Sequence, residues 1–260
     1  MISKCIVIPI YKLIISDDEI ISLRQCFKNL SNHKIIFVGP IGIDISFYKK
    51  ILNKEDLVVE YFEKYYFENI KGYNQLMLSK TFYERFINYD YMLIHQLDCY
   101  IFKDELDYWC NLGYDYIGAP WLDYFYYGKS KISKGIFLIN RLISSLFLNK
   151  YRNKEILTYS VGNGGFSLRK INFFLNILNN VDKKIINKFK NSNDPNSLFN
   201  EDVFWSFEAK NIKKPTYKIA VGFSLDYNID IGIRLNRNQL PFGAHAWNKN
   251  KETWNKYLDL

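Results

Sequence analysis

Four short stretches of the chain carry side chains whose types and spacing could do chemistry. The first is Gln96-Leu97-Asp98, directly behind the apolar run Tyr91–His95. A carboxylate just past a buried strand, at the rim of an α/β sheet, can hold a divalent cation against a diphosphate. An aspartate there can equally cap a helix or close a turn. The second stretch is Val161-Gly-Asn-Gly-Gly-Phe-Ser-Leu-Arg169, with three glycines in four positions. Glycine lets the backbone approach a ligand closely, and a helix over Arg169–Leu178 would turn its N-terminus toward an anion. A plain tight turn explains the same residues. The third is Glu201-Asp202, ahead of the apolar run Val203–Phe207. Either carboxylate could take a proton from an attacking hydroxyl, or the pair could complement a helix dipole. The fourth is His245, within Pro241-Phe-Gly-Ala-His-Ala-Trp247. Its imidazole can hold a cation or serve as a hydrogen-bonded structural group, and Trp247 can stack on a sugar or fill the core.

The elements that must position these residues read as alternating strands and helices. Cys5–Ile10, Ile35–Val38, Leu57–Glu60 and Tyr91–His95 are short apolar runs bounded by polar, Gly or Pro residues, the pattern of buried strands. Ser16-Asp-Asp-Glu19 is a capping box, and the helix behind it aligns Ile20, Leu23, Phe27 and Leu30. A second helix is expected over Tyr73–Phe86 and a short one over Asp104–Cys110, closed by Gly113. Tyr114–Ile117 reads as a short strand, and Asp182–Asn196 as a polar loop. Strands alternating with helices imply a mostly parallel sheet flanked by helices, with ligands beyond the carboxyl ends of the strands. Tyr11, Lys12 and Gln96–Asp98 fall at those ends.

Composition narrows the class. Of the 260 residues, 48% are hydrophobic and 24% charged, which excludes a disordered or collagen-like chain. The net charge of +8 favours phosphates, nucleotides or an anionic surface. Tyrosine and phenylalanine are abundant, 21 and 20, as AT-rich coding also produces. Residues 122–160 hold seven basic and two acidic side chains around the apolar run Ile136–Leu148, a candidate for peripheral membrane contact. Cys5, Cys26, Cys99 and Cys110 lack metal-site spacing and suit reduced thiols in a cytoplasmic protein. No signal peptide or membrane-spanning run is evident.

The order of the four stretches resembles the landmarks of the GT-A glycosyltransferase fold: a DxD motif, a glycine-rich loop, an xED motif and a C-terminal histidine. More closely, the chain is similar to a bacterial family catalogued as a domain of unknown function among polysaccharide-assembly proteins. The similarity runs through Val7-Ile-Pro-Ile-Tyr-Lys12, Gly72-Tyr-Asn74, Gln96-Leu-Asp98 and Tyr114-Asp-Tyr-Ile-Gly-Ala-Pro-Trp121. It continues in Gly162-Asn-Gly-Gly-Phe-Ser-Leu-Arg169, Asn200-Glu-Asp202 and Pro241-Phe-Gly-Ala-His245. The resemblance implies one GT-A-like α/β domain over 1–260 that moves a sugar from a nucleotide-sugar, expected to be a UDP-sugar, to a glycan or lipid-linked acceptor. By the same resemblance Pro9, Tyr11, Lys12, Asn74, Gln96 and Asp98 would meet the donor. Trp121, Gly164, Gly165 and Trp247 would shape the sugar and acceptor pocket. Asp98 and His245 would hold Mn²⁺ or Mg²⁺, and Asp202, or alternatively Glu201, would be the base of an inverting transfer. Gln96 stands where DxD has its first acid, which leaves one carboxylate for the cation. No nucleic-acid partner is expected, although a binding protein for nucleic acid or anionic glycan, and a nucleotide-sugar hydrolase, are rival readings.

Overall fold

The computed structural model describes residues 2–122, 139 and 156–257. The first half is built from strand β1 (Lys4–Pro9), helix α1 (Asp17–Asn29), β2 (Lys34–Pro40), α2 (Ser46–Leu52) and β3 (Val59–Phe62). Helix α1 starts where the capping box places it. Ser16 Oγ accepts from the Glu19 N–H, and the Glu19 carboxylate accepts from the Ser16 N–H at 2.9 Å. Next come α3 (Ile70–Met77), α4 (Lys80–Glu84), β4 (Tyr91–His95), β5 (Tyr100–Ile101), α5 (Leu106–Asn111) and β6 (Tyr116–Gly118). The single helix expected over 73–86 is therefore two. The chain breaks at Leu78-Ser79, and the Ser79 hydroxyl caps the second helix by accepting from the Phe82 N–H at 3.2 Å.

Beyond residue 155 the order is β7 (Phe166–Lys170), α6 (Ile171–Asn180), α7 (Lys183–Lys190), α8 (Glu201–Phe207), α9 (Tyr217–Phe223), β8 (Ser224–Leu225), α10 (Ile229–Leu235), β9 (Gly243–Ala244) and α11 (Lys251–Trp254). Two expectations change here. The glycine-rich stretch runs into a strand, and the helix begins only at Ile171, so the glycines do not present a helix N-terminus. The polar tract 182–196 holds a helix, because Ile186 and Phe189, one turn apart, bury into the core. Asp182 caps it, accepting from the Lys184 N–H at 2.7 Å.

Among the described residues the main sheet has the order β3-β2-β1-β4-β7-β6. It is parallel from β3 to β4, and β7 lies antiparallel to both of its neighbours. Both faces are covered. Val7, Val38 and Ile94 pack against Phe82, Tyr83 and Phe174 on one side. Ile6, Ile8, Phe37 and Leu93 pack against Leu23, Cys26 and Leu30 of α1 on the other. Burial on both faces is why these strands are apolar runs without alternation. Each such side chain contributes about 1.5–3 kcal/mol to the folded state. The fold is the expected α/β class with a mostly parallel central sheet.

A second, small sheet of order β5-β9-β8 matters more for function. β9 is antiparallel to β5, with Tyr100 opposite Ala244, and parallel to β8, with Leu225 opposite Ala244. Asp98 precedes β5, Asp226 follows β8 and His245 follows β9. The two registers therefore draw three residues far apart in sequence to one corner. The His245 N–H donates to the Leu225 carbonyl at 2.9 Å, and the Trp247 N–H to the Asp98 carbonyl at 3.2 Å.

Cys5, Cys26, Cys99 and Cys110 are free and buried. No helix among the described residues is long and apolar enough to cross a membrane. The basic segment within 122–160 lies outside the described residues except for Leu122, Ile139 and 156–160.

Candidate active site

The carboxyl ends of β1 and β4 open into a cavity of about 460 Å³. Pro9, Tyr11, Lys12, Gln96 and Asp98 all line it, as the strand-end argument expects, together with Glu19, Tyr66 and Tyr73. Lys12 Nζ pairs with Glu19 Oε1 at 2.6 Å, so a cation sits at the mouth of the cavity. Burial pushes the Glu19 carboxyl up, but hydrogen bonds from Lys12 and Ser16 outweigh it and leave its pKa lowered. Asn74 is not part of this lining. Its carboxamide accepts the Glu201 N–H at 3.0 Å and donates to Asn200 Oδ1 and the Ser192 carbonyl, both at 3.1 Å. It ties α3 to the start of α8.

Gly164 and Gly165 divide the site. A Cβ on Gly164 would meet Glu201 Oε1 at 1.9 Å; one on Gly165 would meet His245 Nε2 at 2.1 Å and Gln96 Oε1 at 2.6 Å. The glycines thus let two polar clusters close against the backbone from opposite sides.

On the first side, Glu201 and Arg169 are buried and paired at 3.0 Å. Arg169 also donates to the Tyr83 hydroxyl and Ser167 Oγ at 2.9 Å each. Asp202 is adjacent in sequence but only partly buried, and one of its oxygens accepts the Val203 N–H at 2.8 Å. Burial, then the Glu201 charge, push the Asp202 carboxyl up to about 7, against the opposing influence of Arg169 and His245. Asp202 is not in the cavity lining.

On the second side stands His245. Its Nε2 is 3.5 Å from Asp98 Oδ1 and 3.3 Å from Gln96 Oε1. Its Nδ1 is 3.4 Å from Asp226 Oδ1 and 2.9 Å from Asn163 Nδ2. Burial lowers its pKa, but the Asp226 hydrogen bond and the charges of Asp226 and Asp98 outweigh that and raise it overall. Asp98 and His245 are therefore brought together as the sequence suggests. An amide oxygen, a carboxylate oxygen and an imidazole nitrogen converge, a donor set that fits one hard divalent cation. Cys99 Sγ is near both ligands but donates to the Gly165 carbonyl at 3.2 Å, and burial keeps its thiol protonated.

Trp247 is fully buried, 5.2 Å from the Tyr100 ring, and belongs to the core beneath the small sheet, where it cannot stack on a sugar. The Trp121 ring covers Gly162 and stacks on Phe207 at 6.4 Å, outside the cavity lining. Asn163 and Asp226 were not singled out by sequence. Asn163 sits at φ +84°, which asparagine tolerates better than most residues, and its place between glycines was a readable signal. Nothing in the spacing around Asp226 marks it.

The fold, an α/β domain with a mostly parallel sheet and a cavity at its strand ends, is shared with solved glycosyltransferases. The glycosyltransferase GlyE of Streptococcus pneumoniae TIGR4 superposes with a TM-score of 0.51 at 13% identity, over 95% of this chain and 55% of that one. Mouse xyloside xylosyltransferase 1 gives 0.51 at 8%, over 92% and 96%, and the bifunctional glycosyltransferase WbbM gives 0.50 at 9%, over 94% and 45%. The chain thus spans about half the length of GlyE and of WbbM. At these identities the likeness is one of fold. By sequence the chain belongs to the family described as "Protein of unknown function (DUF5672)", whose model matches residues 56–245. No curated protein matches it.

Proposed function

We propose that the chain is a glycosyltransferase that moves a sugar from a nucleotide-sugar to a hydroxyl of a glycan acceptor, with inversion at the anomeric carbon. The observation that carries this reading is the convergence of His245 on Asp98 and Gln96, two residues that line a strand-end cavity. The cavity is of a size for a nucleotide, with Tyr11, Tyr66 and Tyr73 as aromatic walls and Lys12 placed to meet phosphate. Asp98, Gln96 and His245 would hold a divalent cation, which would offset charge on a departing diphosphate. Asp202 would accept the acceptor's proton. A carboxylate that titrates near 7 is a stronger base than one at its ordinary value, yet about half of it is still ionised at neutral pH. The buried ion pair of Glu201 with Arg169 favours Asp202 over Glu201 in that role. Gly164 and Gly165 would bring both clusters to the sugar, and a lipid-linked acceptor in polysaccharide assembly is the context the sequence suggests.

The test is a thermal-shift panel of nucleotide-sugars with and without Mn²⁺, followed by turnover with glycan acceptors and NMR of the product. Binding of one donor and an inverted product are expected. Donor hydrolysis at one rate with or without acceptor would replace transfer by hydrolysis, and failure of every nucleotide-sugar to bind would remove the reading.

A further inference from the structure

His245 has a different pair of neighbours at each ring nitrogen, and the pairs make competing demands. Asn163 Oδ1 accepts the Gly165 and Phe166 N–H groups, both at 3.0 Å. That fixes the other end of the carboxamide as the NH₂ group, which lies 3.0 Å from Asp226 Oδ2 and 2.9 Å from His245 Nδ1. An NH₂ group facing Nδ1 favours a lone pair there, with the proton on Nε2 toward Gln96 Oε1 and Asp98 Oδ1. A cation among those same oxygens needs the Nε2 lone pair instead, and hence the proton on Nδ1. Asp226 Oδ1, 3.4 Å from Nδ1, is the acceptor that form requires.

We propose that Asp226 is a positioning residue for the cation site, accepting the His245 Nδ1–H and so turning the Nε2 lone pair toward Asp98 and Gln96. The inference rests on the cation-assisted reading above and names a residue that reading does not need. The protons balance: Nε2–H gives its proton to water, Nδ1 takes one from water, and the ring stays neutral. A carboxylate suits the position because it has two acceptor oxygens for two donors, Asn163 Nδ2 and His245 Nδ1. An amide there could serve only one of them. The small sheet enforces the arrangement, because Asp226 and His245 follow paired residues on β8 and β9. Asn163, in the glycine-rich loop, links that loop to the same ring.

The test measures Mn²⁺ affinity by calorimetry and the His245 tautomer by ¹⁵N NMR with Zn²⁺ as a diamagnetic probe; neither requires a glycosyl donor. Wild-type protein should pass from Nε2–H to Nδ1–H as Zn²⁺ is added. Asp226→Asn should bind Mn²⁺ about 10–100-fold more weakly, the usual loss when the partner of a ligating histidine is removed. The exchange of groups, Asn163→Asp with Asp226→Asn, restores one carboxylate beside Nδ1 and should recover most of the affinity, which a merely structural role for Asp226 would not predict. It also supplies a second variant should Asp226→Asn fold poorly. Unchanged Mn²⁺ affinity in Asp226→Asn, or no recovery on exchange, would overturn the inference while leaving the transfer reading intact. Absence of any cation binding that depends on Asp98 would overturn it too, and nucleotide-sugar turnover would still decide the transfer reading separately.

Discussion

Glu201 and Asp202 are adjacent acids at the start of one helix, yet the structure gives them opposite surroundings. Glu201 turns inward under Gly164 to Arg169, Asn74 accepts its backbone N–H, and both side chains of the pair are buried. Asp202 stays partly exposed, with no ion pair among the described residues, and burial and the Glu201 charge push its pKa up to about 7. One carboxylate is committed to an ion pair, and the other is the proton acceptor proposed above. A buried charge has to be matched by a partner, and two neighbouring residues can differ in this because they leave the helix in different directions.

The largest effect expected from breaking this contrast is on stability. Glu201→Ala would strand the Arg169 guanidinium without its counter-charge, and loss of one partner of a buried pair costs about 3–5 kcal/mol. Urea unfolding should show that loss; a change below 1 kcal/mol would mean Glu201 is not the structural member. On the other side of the glycines, Asp98→Asn should lower turnover about a hundredfold with the melting temperature unchanged, since electrostatic groups of this kind contribute a few kcal/mol to a transition state. Full activity in a folded Asp98→Asn protein would remove it from the site. Gly165→Ala should push His245 away from Gln96 and weaken Mn²⁺ binding several-fold, which calorimetry would detect; unaltered affinity would mean the contact is loose.

A further effect sharpens the comparison through pH. Because the folded state raises the Asp202 pKa, the unfolded chain ionises first, near the ordinary carboxylate value. Folding stability from this group is then full below about pH 4 and declines as pH rises toward 7. Asp202→Asn removes that decline, so the variant should match wild type near pH 4 and exceed it at pH 8. Equal stabilities at both values would show that Asp202 is not perturbed.

The parallel half of the sheet was legible because strands buried on both faces must be continuous apolar runs, as Cys5–Ile10 and Tyr91–His95 are. The ends of those strands correctly located Tyr11, Lys12, Gln96 and Asp98 at the cavity. The antiparallel part was not legible. β7 follows a glycine-rich turn and runs straight into α6, so its first three residues read as part of the turn and Arg169-Lys170 as the start of the helix. β5, β8 and β9 are two residues each, too short for any periodicity, and they alone bring Asp226 to His245. Asn74 and Trp247 lie beside residues of the site in sequence but turn into the interior, a distinction that only packing decides.

In the proposed transfer Asp202, and not Glu201, takes the acceptor's proton. The direct measurement is the turnover of Asp202→Asn with a nucleotide-sugar that wild-type protein uses, alongside the pH dependence of wild-type kcat/KM. A positioned base contributes roughly 10²–10⁴ in rate. The variant should therefore lose that factor while binding the donor nucleotide normally, and wild-type kcat/KM should rise with pH through an apparent pKa of about 7 that the variant lacks. Near-normal turnover in Asp202→Asn, or a rising limb that survives the substitution, would contradict the claim.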